Sequence, residues 1–339
     1  MRTLFDGLMA VYLLGVLAGV FLGVIFHELG HLFFGRLTGY HFVSFRLLNR
    51  LWVKDNEGKM TASKSAGLSG IAGQCLMSPC EEEREFRFVL YNLGSILANA
   101  GAGAAAAVLY VFTGNAYIRM ALLGFGLVNL LLAALSYIPY KKAFIPNDGA
   151  NVREARKSEA AEHGLYVLLK ANAEMSKGKI MTDFPEGFFR SDGSADINNY
   201  LEANLIMLRS AQLEEAGMLQ QSYEELLQLE NARLPVFYSG QITLALMFHE
   251  LVYFEGAEWT TRARARIEAR TKDKNFQKLL KMKHPAFMPF SAAKTAFLDC
   301  ETDKAREQID KARELTAALR NPGQEHTVTQ LLDRLTARL

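Results

Sequence analysis

The stretch Gly7–Phe26, GLMAVYLLGVLAGVFLGVIF, runs without a polar break into His27-Glu28-Leu29-Gly30-His31. Twenty uncharged, mostly apolar residues are enough for a helix to cross the hydrocarbon core of a bilayer. The HExxH pattern that follows places two imidazoles four residues apart on one helical face. There both can reach a single zinc ion, with a carboxylate beside the first. Ionisable groups at membrane depth cost roughly 2.5 kcal/mol or more each, so they are seldom kept there without a task. Together the two features point to zinc-dependent hydrolysis within or at the edge of a membrane.

A signal peptide is the competing explanation for the amino terminus, since Met1-Arg2 precedes an apolar run. No small-residue cleavage site with polar flanks follows, and the helical pattern continues through the motif to Phe34. An uncleaved first span over residues 7–34 is therefore expected.

Working outward, the 339 residues divide in character. Long apolar runs fill residues 1–150, and the remainder is charged. Two further spans are expected at residues 88–112 and 120–137. The first of these carries the Gly/Ala-rich stretch Asn99–Ala107, whose small side chains suit close helix packing. Between the first two spans, His41–Leu47 alternates weakly and Leu51-Trp52-Val53 precedes the turn signal Asp55-Asn56-Glu57-Gly58. This predicts a β-hairpin over residues 41–62 whose exposed edge could hold an added strand. Gly67, Gly70 and Gly73 form a GxxGxxG loop with no GK[ST] after it, which excludes a phosphate cradle. Glu81–Glu85 reads as a solvated acidic face.

Net charge is +2, with no basic stripe interleaved with aromatics, and a nucleic-acid partner is not expected. The three cysteines, Cys75, Cys80 and Cys300, lack zinc-ribbon spacing and read as reduced thiols facing a cytosol. Lysines and arginines concentrate between the first two spans and after the third, whereas the connection Thr113–Arg119 has only Arg119. The positive-inside rule then puts the amino terminus outside and the carboxy-terminal domain in the cytoplasm; the inverted topology would misplace these charges. With Arg36 at the cytosolic surface, His27 lies nine residues deeper, about 13 Å along the helix.

A catalytic zinc needs a third protein ligand and an open position for water. Pro146-Asn147-Asp148-Gly149 follows the third span at the membrane end where the motif's depth puts the metal, and its turn can aim the Asp148 carboxylate at a neighbouring helix. Glu159, Glu162 and His163 compete, but lie in a charged helical stretch that reads as solvated. Glu28 is the expected general base.

These motifs carry a resemblance. HELGH in a first membrane helix, Gly94-Ser95-Ile96-Leu97-Ala98-Asn99 in a second and Asp148-Gly149 after a third resemble the site-2 protease family of intramembrane zinc metalloproteases, over about residues 7–152. The resemblance implies zinc held by His27, His31 and Asp148, a membrane-associated hairpin, and a transmembrane protein substrate cut by regulated intramembrane proteolysis in a bacterial plasma membrane. The family's Asn-x-x-Pro stretch before the Asp-Gly pair reads Ser136-Tyr137-Ile138-Pro139 here. That leaves Asn129, Asn99 and Ser136 as the candidates for supporting substrate or transition state. The family's PDZ or CBS partner domains have no counterpart.

After a linker and first helices over residues 151–195, residues 196–339 read as a soluble α-helical, tetratricopeptide-like domain. Its irregular repeats fall near Leu208–Leu227, Leu244–Ala257 and Ala292–Ala312. Such arrays bind peptides or partner proteins, whereas a plain helical bundle would only stabilise or dimerise the chain. His249 reads as a satisfied core residue, and Phe184–Phe189 as an aromatic linker element with no assigned role. The expected fold is thus mainly α: three core transmembrane helices with a β-hairpin, then a soluble helical domain. Two other activities fit the sequence: a membrane-anchored scaffold with an inactive metal site, and a different membrane zinc peptidase with a Glu third ligand. No feature of the sequence specifies an oligomeric state.

Overall fold

The computed structural model describes residues 2–54, 59–64, 72–139, 145–190 and 195–339. The chain is mainly helical and forms two compact units: Met1–Lys54 with Ile71–Tyr140 and Pro146–Arg153, and Asp55–Gly70 with Lys141–Ile145 and Glu154–Leu339.

In the first unit, α1 (Arg2–Leu37), α2 (Phe88–Phe112) and α3 (Ala116–Tyr137) are the three helices long and apolar enough to cross a membrane. The second coincides with its expected span, while α1 and α3 begin earlier than periodicity suggested. For α3 the cause is a cap: the Asn115 side chain accepts hydrogen bonds from the Tyr117 and Ile118 backbone N–H groups, so the helix starts at Ala116. Large apolar side chains such as Leu13, Leu17, Val111 and Phe112 point outward, as in a bundle whose solvent is lipid.

Small residues set the spacing between these helices. A Cβ on Gly15 would lie 2.2 Å from the Ala121 carbonyl oxygen. One on Gly30 would lie 2.4 Å from that of Gly94. In the Gly/Ala-rich stretch of α2 only Asn99, Gly103 and Ala106, one helical stripe, are buried; Gly101, Ala104, Ala105 and Ala107 face outward.

Where one hairpin was expected, the described residues hold a four-stranded antiparallel sheet ordered β3-β2-β1-β4: β1 (His41–Leu47), β2 (Arg50–Lys54), β3 (Met60–Lys64) and β4 (Gly73–Ser78). The β1–β2 turn falls at Leu48-Asn49, with Leu48 at φ 53, earlier than the expected turn. Asp55–Gly58, Gly67, Gly70 and Lys141–Phe144 lie outside the described residues. The unexpected strand β4 pairs with β1 from Leu47↔Gly73 to His41↔Ser78, with a register shift between Phe42 and Ser44. GQCLMS is short and follows a glycine-rich stretch, so nothing local marks it as a strand; its partner is what makes it one. The acidic run Glu81–Glu85 is exposed, as expected.

The second unit contains α5 (Glu159–Ser176), α6 (Tyr200–Glu215), α7 (Leu219–Leu227), α8 (Val236–Phe248), α9 (Ala257–Ala269), α10 (Lys274–Leu280), α11 (Met288–Phe297), α12 (Thr302–Thr316) and α13 (Pro322–Arg338); α4 (Asp148–Ala155) precedes them. Short glycine turns join α6 to α7 (Gly217, φ 79) and α8 to α9 (Gly256, φ 127), conformations that glycine adopts without a Cβ clash. One core gathers Phe248, Phe276, Leu279, Ala292, Ala312 and Leu332, all within 1% of complete burial.

A single π turn, His249–Tyr253, extends α8 and turns His249 inward. Its Nδ1 bonds the Ala245 carbonyl at 2.9 Å, so its Nε2 accepts from the Ser222 hydroxyl at 3.0 Å. Both ring nitrogens are satisfied, the arrangement expected of a core histidine. Burial pushes the His249 imidazole below the usual histidine range, with Arg334 adding to the effect and Glu214 and Glu250 opposing it. The folded state thus holds this ring neutral, while the unfolded chain protonates it near the ordinary value of about 6.5. Stability from this site is complete above that pH and declines as pH falls below it. The melting temperature of the detergent-solubilised chain should fall between pH 7.5 and 5, and less steeply in His249→Gln; equal slopes would contradict the assignment.

Candidate metal centre

The site starts from one turn of α1. His27 and His31 share a face, with ring centroids 5.2 Å apart, and Gly30 occupies the adjoining face where α2 crosses. Without a side chain at Gly30 or Gly94 the two backbones meet directly, which sets Tyr91 and Ser95 of α2 beside the imidazoles. The Tyr91 backbone carbonyl lies 3.1 Å from His31 Nδ1. A carbonyl only accepts, so Nδ1 carries the hydrogen and His31 Nε2 is the nitrogen left to bind a cation.

Asp148 arrives from beyond α3 by a tightly built joint. The Asn147 amide nitrogen donates to the Leu135 and Ile138 carbonyls at 2.7 and 2.8 Å, capping the end of α3. The amide oxygen of the same side chain accepts from the Ala150 N–H at 2.9 Å, capping the start of α4. Gly149 seats directly on this end of α3: a Cβ there would lie 1.9 Å from the Tyr137 carbonyl oxygen. The neighbouring residue, Asp148, is thereby turned back toward α1.

His27 Nε2 lies 3.2 Å from Asp148 Oδ2, and His31 Nε2 lies 3.4 Å from Asp148 Oδ1. One ligand atom from each of the three residues lies within 4.8 Å of the other two, near enough for a single cation to bridge them. Two imidazoles with one carboxylate are also a donor set such an ion accepts. Among the described residues this is the one group of three or more His, Cys, Asp or Glu whose ligand atoms converge. Glu159, Glu162 and His163, the competing ligands in the sequence, lie on α5 in the other unit and are not part of it. Burial by itself would raise the Asp148 carboxyl, but His31 and His27, when protonated, hold it well below the usual carboxylate range.

Two partners escaped sequence reasoning. The Ser95 hydroxyl donates to Asp148 Oδ2 at 2.7 Å, and Asn151 donates to the Asn92 side chain at 3.3 Å, tying α4 to α2. Serine and asparagine inside an apolar span are visible in the sequence, but which face they occupy and what crosses it are not.

Glu28 is buried, at 6% exposure, beneath β4. Gly73 sits so close that a Cβ there would lie 2.7 Å from Glu28 Oε1, and the Cys75 backbone N–H bonds the carboxylate. The Cys75 carbonyl in turn accepts from the Tyr91 hydroxyl at 3.4 Å. Strand β4, which lies outside the expected hairpin, is therefore engaged by α1 and α2 at Cys75. Burial, with Glu28 adding to it and Arg36 opposing, pushes the Cys75 thiol up to about 12, so it is protonated at neutral pH.

Asn99 and Asn129 are both fully buried. Neither side-chain atom of Asn99 has a hydrogen-bond partner, nor does Asn129 Oδ1, although Asn129 Nδ2 donates to the Phe125 carbonyl. A Cβ on Gly23, one turn before His27, would lie 3.1 Å from Asn129 Oδ1. Ser136 is half-buried, and its backbone carbonyl lines the seat of Gly149.

Comparison with protein families, curated proteins and solved structures finds no match to this chain.

Ser95 aims the Asp148 carboxylate. Removing a partner of this kind typically weakens metal binding 10–100-fold. Ser95→Ala should show a loss of about that size in chelator competition with zinc, with an unchanged helical circular dichroism spectrum.

Proposed function

We propose that the chain is a membrane-embedded zinc endopeptidase of the site-2 protease type, cutting transmembrane protein substrates near the cytoplasmic face of a bacterial plasma membrane. The observation that carries this reading is the convergence of His27, His31 and Asp148 on one point beside Glu28, on a helix apolar enough to cross a membrane. Zinc held by these three residues would lower the pKa of a water toward about 7 and polarise a peptide carbonyl.

Glu28 takes the proton of the attacking water and later passes it to the leaving amine. Its burial under β4 keeps bulk water from that exchange. A substrate helix hides its carbonyls in internal hydrogen bonds and must unwind to be cut. The Asn99 amide, without a hydrogen-bond partner among the described residues, is suited to hold unwound backbone or developing negative charge, and Asn129 Oδ1 is suited to accept from a substrate N–H. The positive-inside pattern supports an external amino terminus and a cytoplasmic helical domain, whose paired helices offer a surface for a peptide or protein regulator. A degenerate scaffold would most readily lose its general base, yet Glu28 stands beside the complete triad.

The test compares membrane proteomes with wild-type and Glu28→Gln chains. Loss of a general base costs typically 10²–10⁴-fold, so a precursor should accumulate with the variant while its zinc content stays at the wild-type level. Identical processing would refute the proposal. Asp148→Ala should lose zinc and Glu162→Ala should keep it; the opposite result would favour a peptidase with a glutamate ligand.

A further inference from the structure

The helical unit carries one face whose charges are not matched by the protein itself. Between Arg270 and Phe287 the sequence holds five lysines, Lys272, Lys274, Lys278, Lys281 and Lys283, and a single acid, Asp273. That acid is committed: it pairs with Arg270 at 2.8 Å and caps α10 by accepting from the Asn275 and Phe276 N–H groups.

Helical spacing sorts this segment into two sides. Phe276, Leu279 and Leu280 are buried in the core, and Lys274, Lys278 and Lys281, at i, i+4 and i+7, project from the opposite side. Lys272 and Lys283 flank them, and all five are exposed. Among the described residues none of the five is in an ion pair, whereas Lys157, Lys177, Lys179, Lys294, Lys304 and Lys311 each sit on a carboxylate. Holding like charges together has an electrostatic cost that an anionic partner removes.

We propose that this lysine face of α10 is a docking surface for anionic lipid headgroups. The same chain carries three helices apolar enough to cross a membrane, so a lipid partner would be held on the same chain and docking needs no high intrinsic affinity. Each lysine near an anionic surface contributes about fivefold to the occupancy of the docked state at modest ionic strength. A nucleic-acid strand fits less well, because binding one uses exposed aromatic rings for stacking, and here Phe276 and Phe287 are buried.

The test reconstitutes the full chain in nanodiscs of phosphatidylcholine alone or with a quarter phosphatidylglycerol, and measures acetylation of each lysine by mass spectrometry. The five lysines should react at least about threefold more slowly in the anionic discs, and the protection should vanish near 0.5 M salt, where the screening length is about 4 Å. Lys304 and Lys311 should react alike in both. In the triple variant Lys274→Gln, Lys278→Gln, Lys281→Gln, the protection of Lys272 and Lys283 should be lost. Equal reactivity of the five lysines in both lipids would overturn the proposal and leave RNA or an acidic polypeptide as the partner to examine. Protection that survives high salt or the triple substitution would overturn it equally.

Discussion

The crossing of α1 and α2 at Gly30 and Gly94 is the contact on which the candidate centre depends. Two helices this close have no room for a Cβ at either position. Their approach lets a backbone carbonyl of α2 set the tautomer of His31 and a hydroxyl of α2 hold the carboxylate opposite it. In lipid, apolar side chains gain little by facing each other instead of the acyl chains, so packing of small residues takes over the role the hydrophobic effect plays in water. The same surface that brings the helices together therefore also sets the geometry of the site.

The second constraint lies at the end of α3. Asn147 satisfies two carbonyls of one helix and an N–H of the next, and Gly149 lies flat on the join. An aspartate in an ordinary surface turn would sample many directions. Here the flanking residues absorb the backbone polarity on both sides, and Asp148 is held between the two histidines and Ser95. The cost of burying a charged carboxylate here is offset by its three polar neighbours.

The helical unit follows different physics. Its core is filled by aromatic and aliphatic side chains, and a buried histidine is accommodated neutral by one hydroxyl and one carbonyl. Helix α10 presents two different faces. That short helix contributes Phe276, Leu279 and Leu280 to the core while presenting its lysines to the outside.

The three apolar helices, the HExxH face and the position of the Asp-Gly pair were legible from the residues alone. Their signals are local: run length, a period of 3.6, and turn chemistry within four residues. Strand β4 was not legible, because GQCLMS becomes a strand only by pairing with β1, nor was the early turn at Leu48. Ser95, Asn92 and the Tyr91 carbonyl escaped for a related reason. Each is an ordinary residue of an apolar helix until a second helix crosses it, and the crossing angle and phase are properties of packing between segments some 60 residues apart. Sequence by itself determined which groups are able to bind a cation. Only the tertiary structure decided that they converge, because convergence depends on how closely two glycines allow two backbones to approach.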